Sequence, residues 1–358
     1  MGRQRRRAGR SRRRLEKGGG LLQTECMKGF LLAIIFLTSC GAALPVQTPK
    51  PAGAGKTTAT PAAPASKTVD AAQLLEDVRV LSADAMEGRG AGTKGGAMAR
   101  AYVARRFADA GLKPLGASFE QPFELPARAG GAGGAKSGVN LVGYVQGRAH
   151  PERFIVVTAH YDHLGVREGV VYNGADDNAS GVAVLLQLAA RFGGARRPEN
   201  SIIFAALDAE ELGLVGARAL VKQLQAEKRT LALNVNMDMV SRSDRGELYA
   251  AGTHQTPALR PVLERVGSRA RVKLLLGHDR PEQGHDDWTN QSDQFAFHRA
   301  GVPFVYFGVE DHKDYHKPTD DFEAVTADFF LHAAETILDA LVTLDENLEA
   351  VSHGGKHR

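Results

Sequence analysis

The chain has 358 residues, 43% of them hydrophobic, which is enough for one large core or two modest ones. Its formal charge of +4 sits at the front: residues 1–26 hold eight arginines and one lysine against two glutamates, leaving 36 basic and 39 acidic side chains in the rest. A body that close to neutral has no electrostatic footprint for nucleic acid, and with Cys26 and Cys40 both ahead of it, the body contains neither a disulfide framework nor a cysteine metal site.

Residues 1–26 form a basic preface. Because Met27 opens a complete signal pattern, translation is expected to begin there and the preface to be a start-site artefact, the alternative being a long basic n-region of the same signal. MKGFLLAIIFLTSC, residues 27–40, is a basic residue followed by an apolar segment too short for a stable bilayer anchor, and reads as a signal segment. Its end, Leu37-Thr38-Ser39-Cys40, resembles the lipobox of bacterial lipoproteins. That implies cleavage before Cys40, a lipid on its thiol, and an extracytoplasmic protein anchored to the membrane. Gly41, in place of an aspartate, favours the outer membrane. A Pro, Ala, Gly and Thr tract follows, and 41–67 is expected to be a flexible tether.

The body opens with helical spacing over 70–81 and 96–110, the latter with Ala97, Tyr102, Val103 and Phe107 on one face. GRGAGTKGG at 88–96 is a glycine-rich turn without the Lys-Ser/Thr ending of a nucleotide-binding loop. ARAGGAGGAKSG at 127–138 reads as a surface excursion, too short to be an inserted domain. Strands are predicted over 140–145, 154–160, 201–207, 231–239, 272–276 and 302–307. Helices are predicted over 179–192, 211–226, 256–267, 291–299 and 324–342, the last with a core face of Phe329, Phe330, Ala333, Ile337 and Leu341. Apolar strands separated by helices indicate a largely parallel or mixed sheet covered on both faces, which binds ligands beyond the carboxyl ends of its strands. The body is expected to span 68–345, with 346–358 a disordered tail.

Several apolar runs lead into acids or imidazoles. FIVVTAHYDHLG delivers His160 and Asp162; SIIFAALDAEELG delivers Asp208, Glu210 and Glu211; LALNVNMDM delivers Asp238. VPFVYF leads through a loop to Tyr315 and His316, and NGADDNASG places Asp176 and Asp177 ahead of a helix. Charges converging on one sheet edge repel unless a cation lies among them. Carboxylates with imidazoles and no cysteine suit zinc, with cobalt or manganese as alternatives. Of two adjacent glutamates, one can bind metal while the other handles a proton. Helix caps and surface ion pairs are the competing reading, with capping credible for Asp176 or Asp177.

In order, His-x-Asp, Gly-Ala-Asp-Asp-Asn-Ala-Ser-Gly, Glu-Glu-x-Gly, Met-Asp, Ser-Asp and Tyr-His resemble the secreted bacterial zinc aminopeptidases with a co-catalytic dinuclear site, relatives of glutamate carboxypeptidase and glutaminyl cyclase. The resemblance covers about 70–342. It implies a three-layer α/β/α zinc-exopeptidase fold with a mostly parallel, mixed central sheet. It further implies two zinc ions per chain, peptide substrates with a free N-terminus, and no nucleic-acid or obligate protein partner. By the same resemblance His160 and Asp238 bind one zinc, Glu211 and His316 the other, and Asp177 bridges them. Asp162 orients His160 and Asp176 is supportive. Glu210 is implied as the general base and Tyr315 as a hydrogen-bond donor to the oxyanion. A carboxypeptidase or cyclase on this scaffold, and a non-catalytic envelope-binding lipoprotein, are the alternatives; a pure binder would need no base.

Among the quieter residues, Gln294 stands where many relatives have histidine. Residues 277–293, with His278, His285 and Trp288, are expected to rim the site, and Asp293 to cap or brace the next helix and contribute at that rim. His163 is expected to orient or pack, and His312 is a weaker candidate ligand than His316.

Overall fold

The computed structural model describes residues 66, 68–125, 137–194 and 197–353. The preface, the signal segment with Cys40, nearly all of the tether, most of the 127–138 excursion and residues 354–358 lie outside the described residues.

The strands are β1 (Lys113–Pro114), β2 (Glu120–Glu124), β3 (Ser137–Val145), β4 (His150–His160), β5 (Gly165–Arg167), β6 (Val170–Tyr172), β7 (Asn200–Leu207), β8 (Thr230–Met237), β9 (Glu247–Ala251), β10 (Lys273–Leu276) and β11 (Phe304–Gly308). Nine of them form one mixed sheet in the order β1-β3-β7-β4-β8-β11-β9-β10, with β2 beside β3, while β5 and β6 pair separately. The centre β7-β4-β8-β11 is parallel. Antiparallel contacts with β3 and β9 bound it on either side.

Why β7 reads as an unbroken apolar run follows from its two faces. Ile202, Phe204 and Ala206 join one core cluster, and Ile203, Ala205 and Leu207 the other. The first cluster is covered by α1 (Ala71–Leu81), α2 (Lys94–Asp109), α3 (Gly181–Gly193), α5 (Arg260–Gly267), α7 (Ala327–Glu346) and α8 (Leu348–His353). The second is covered by α4 (Val215–Ala226) and α6 (Gln294–Arg299). The architecture is a three-layer α/β/α sandwich.

Three departures from the predicted elements bear on the site or its frame. The helix predicted from 211 begins at Val215, because Ala209, Gly213 and Leu214 take φ of 60°, 95° and 58° and wind a tight turn that leaves both glutamates outside the helix. Strand β9, with its glutamate and tyrosine, lacked an apolar run to announce it, yet it pairs with strands on both sides. The expected disordered tail is corrected over 348–353. There α8 forms because Leu348 and Val351 bury themselves in the larger core.

Candidate metal centre

The sheet collects the predicted residues at the carboxyl ends of its central strands. His160 ends β4, Glu210 and Glu211 follow β7, Asp238 follows β8, and Tyr315 and His316 lie in the loop after β11. Asp177 sits in the wound turn Ala175–Ser180 that precedes α3.

Asp177 presents its two oxygens in different directions. Oδ1 lies 3.4 Å from His160 Nε2, and Oδ2 lies 3.1 Å from His316 Nε2. On the first side, His160 Nε2 is also 3.2 Å from Asp238 Oδ1. On the second, Glu211 Oε1 is 3.5 Å from His316 Nε2 and 2.9 Å from His163 Nδ1. Two groups of donors are each close enough to hold one ion: His160, Asp177 and Asp238, and His163, Asp177 and Glu211, with the donor atoms of each within 4.8 Å of one another. Every donor is a carboxylate oxygen or an imidazole nitrogen, and buried Glu211 Oε1 and His163 Nδ1 have no hydrogen-bond partner. Such a set fits divalent cations of the zinc kind. The geometry thus brings His160, Asp177, Glu211, Asp238 and His316 together, and adds His163, which the sequence reading had given an orienting or packing role.

A sequence model of peptidase family M28 matches residues 140–341, more than half of the chain. The chain belongs to peptidase family M28. It is 29% identical over 206 residues to aminopeptidase YwaD of Bacillus subtilis, covering 54% of this chain and 41% of that protein. Among solved structures it is similar to a zinc aminopeptidase from Bacillus subtilis, with a TM-score of 0.62, 20% identity, and coverage of 76% of this chain and 95% of that one. It is also similar to Fimbriiglobus ruber glutaminyl cyclase, with a TM-score of 0.60, 19% identity, and coverage of 80% and 99%. The chain spans less than half the length of the curated relatives it matches.

Around the M28 centre, the supporting polar groups are specific. Asp162 accepts from the backbone N–H groups of Glu210 and Glu211 at 3.0 and 3.3 Å, which fixes the glutamate turn. His160 Nδ1 meets the Asp162 carbonyl at 3.1 Å and its carboxylate at 3.7 Å, so Asp162 braces His160 chiefly through its main chain. Asp176 points away from the donors, accepting from Ser241 N and Oγ and contacting His312 Nε2 at 3.1 Å. The expected helix-capping contact falls instead to Asn178. Its Oδ1 accepts from Gly181 N, and its Nδ2 donates to the Met237 carbonyl, tying the Asp177 turn to the end of β8.

Sequence reasoning missed Asp320 and Arg89. Asp320 accepts from the N–H groups of both Asp176 and Asp177. Arg89, fully buried, donates to the carbonyls of Leu81, Tyr161, Asn173 and Gly174 and so pins both donor-bearing loops from behind. The glycine-rich turn at 88–96 carries this arginine; a Cβ at position 88, where φ is +62°, would lie 2.4 Å from the Tyr172 carbonyl.

Asp293 corrects another expectation. It makes no capping hydrogen bond and is fully buried behind the site, without a partner for either oxygen. Burial pushes it up to about 7. Gln294 is likewise internal, accepting from Asn236 and donating to the Trp288 carbonyl. Of the predicted rim, Trp288 lines the cleft and stacks on His278, with centroids 3.8 Å apart. Met239, Tyr306 and Val309 continue its apolar wall, and Asp311 and Tyr315 line it as well.

The charges are strongly coupled to their surroundings. Burial raises Glu210 well above the usual carboxyl range, with Asp293, Asp238 and Glu211 adding to it. Burial opposes ionisation of Glu211 too, but the imidazoles of His163 and His316 outweigh it and hold that carboxyl below its usual range. Burial also works against a charged His160, yet Asp238, Glu210 and Asp177 lift it well above normal.

Proposed function

We propose that this protein is a two-zinc aminopeptidase that removes N-terminal residues from peptides. The observation that carries the reading is Asp177, facing His160 with one carboxylate oxygen and His316 with the other, in a cleft that half-buried Glu210 also lines. In this reading His160, Asp177 and Asp238 hold one ion, and Asp177, Glu211 and His316 hold the second. A pair of such cations, when bound, polarises a carbonyl and lowers the pKa of water.

The chain's own groups do the rest. Glu210, adjacent to the donors in sequence, accepts the proton of the attacking water and returns it to the departing amine. The Tyr315 hydroxyl donates to the carbonyl oxygen as negative charge develops there; its ring is stacked on His316, centroids 4.0 Å apart, which limits its freedom. Asp162 and Asp176 hold the donor loops in place. The carboxylates of the cleft suit a free α-amine, which is the basis for exopeptidase action. Glutaminyl cyclase shares this fold, so the assay must separate the two activities.

The test uses purified full-length protein with free and N-blocked aminoacyl amides. Hydrolysis of the free amides alone is expected, with turnover lost but metal retained in Glu210→Gln. Equal activity on blocked amides, or cyclisation of N-terminal glutamine without amide hydrolysis, would overturn it. The lipobox-like Leu37-Thr38-Ser39-Cys40 supports a lipid anchor on the extracytoplasmic face of a bacterial membrane, with the outer membrane favoured by Gly41. Cys40→Ser is then expected to move the protein from the membrane fraction to the soluble one.

A further inference from the structure

We infer that His163 is itself a ligand of the second ion, so that this ion is gripped by two imidazoles, a buried one from His163 and an outer one from His316. The inference rests on the dinuclear reading above and goes beyond it, because that reading gives each ion a single imidazole.

The geometry begins with an anomaly. His163 Nδ1 lies 2.9 Å from Glu211 Oε1 and 3.7 Å from Asp177 Oδ2, yet neither His163 Nδ1 nor Glu211 Oε1 has a hydrogen-bond partner. The two atoms are close but not aimed at each other. Polar atoms buried in that way are costly unless something satisfies both, and a cation seated between them does so. His163 is only 2% exposed.

His316 approaches the same two oxygens, Asp177 Oδ2 and Glu211 Oε1, at 3.1 and 3.5 Å, with its side chain 39% exposed. The two rings have centroids 5.9 Å apart at 60°, an arrangement that flanks a common point rather than stacking.

His163 reaches this place because residue 174 is glycine. At φ +57°, a Cβ there would come within 2.5 Å of the His163 ring. The ring's Nε2 also lacks a partner, so no hydrogen bond from that side turns the ring away from the two carboxylates. The two ions are therefore unlike. The first is held by one imidazole and two carboxylates, and the second by two imidazoles and two carboxylates, one of the imidazoles being inaccessible to solvent.

The test loads the full-length protein with cobalt(II) and counts the exchangeable, hyperfine-shifted imidazole N–H resonances by proton NMR, one for each cobalt-bound ring. Wild type is expected to bind two ions and show three such signals. His163→Gln should show two and bind the second ion about tenfold to a hundredfold more weakly. His316→Gln should also show two while retaining the second ion. Two bound ions with only two N–H signals in wild type would overturn the role of His163 and leave the dinuclear reading intact; the wild-type count decides this even if the variants fail to fold. Binding of one ion would overturn the dinuclear reading and the inference with it.

Discussion

Replacing Arg89 with methionine should nearly unfold the protein. The guanidinium is fully buried and donates at 2.8, 2.7, 2.5 and 2.8 Å to the carbonyls of Tyr161, Leu81, Asn173 and Gly174. Burial pulls it down to about 10, so it stays charged at neutral pH, attracted by Asp177, Asp320 and Asp162. Each buried carbonyl left without a donor costs about 1 kcal/mol or more. Relief from burying a charge offsets part of that total, which leaves a loss of about 3 to 5 kcal/mol, a large share of the stability of a typical domain. Arg89→Lys keeps the charge, but a single ammonium cannot span carbonyls from three chain segments, and a loss of about 2 kcal/mol is expected. Urea unfolding of both variants measures this. Unfolding free energies within about 0.5 kcal/mol of wild type would refute the pinning role.

Further outcomes follow from the same contacts. Asp320→Ala frees the N–H groups of Asp176 and Asp177 and should weaken metal binding about tenfold or more in a chelator competition, while leaving the far-ultraviolet circular dichroism unchanged. Asp77, which contacts Tyr102, Arg106 and Gln73, is raised by burial from 3.8 to about 6. Its folded form binds the proton more tightly, so its contribution is full below pH about 4 and is lost as pH rises through about 6, about 3 kcal/mol in all; Asp77→Asn should flatten that part of the stability profile. Neighbouring carboxylates lift His160 well above normal and raise His316 to about 10 against the effect of burial. Uptake of two ions near pH 7.5 should therefore release about two protons, read from calorimetric enthalpies in buffers of different ionisation heat. Release of less than one would contradict the assignment of both imidazoles to metal.

The parts of the centre that were legible from apolar patterning are those that stand at the ends of buried strands, whereas Asp177 and His316, on a turn and a loop, were legible through the family resemblance. His160, Glu210, Glu211 and Asp238 each close an apolar run, and a parallel sheet carries its strand ends to one edge. The groups that were not legible act through the main chain of distant segments. Asp320 serves the amides of Asp176 and Asp177, and Arg89 serves four carbonyls; nothing in their local sequence distinguishes such roles from surface charge. His163 lies three residues after His160, a spacing that says nothing about whether both rings face one cavity. Asp293 looked like a cap because it precedes a helix, but its burial behind His160 became visible only once β4, β8 and α6 were packed together. Likewise α8 escaped notice because two apolar residues in a charged tail, Leu348 and Val351, acquire meaning only against the completed core.

The central claim, two cations sharing Asp177, is tested most directly by anomalous scattering at the zinc edge from crystals of the zinc-loaded protein. Two peaks about 3.5 to 4 Å apart, one on each side of the Asp177 carboxylate, are predicted. A single peak, or peaks that do not touch Asp177, would contradict it.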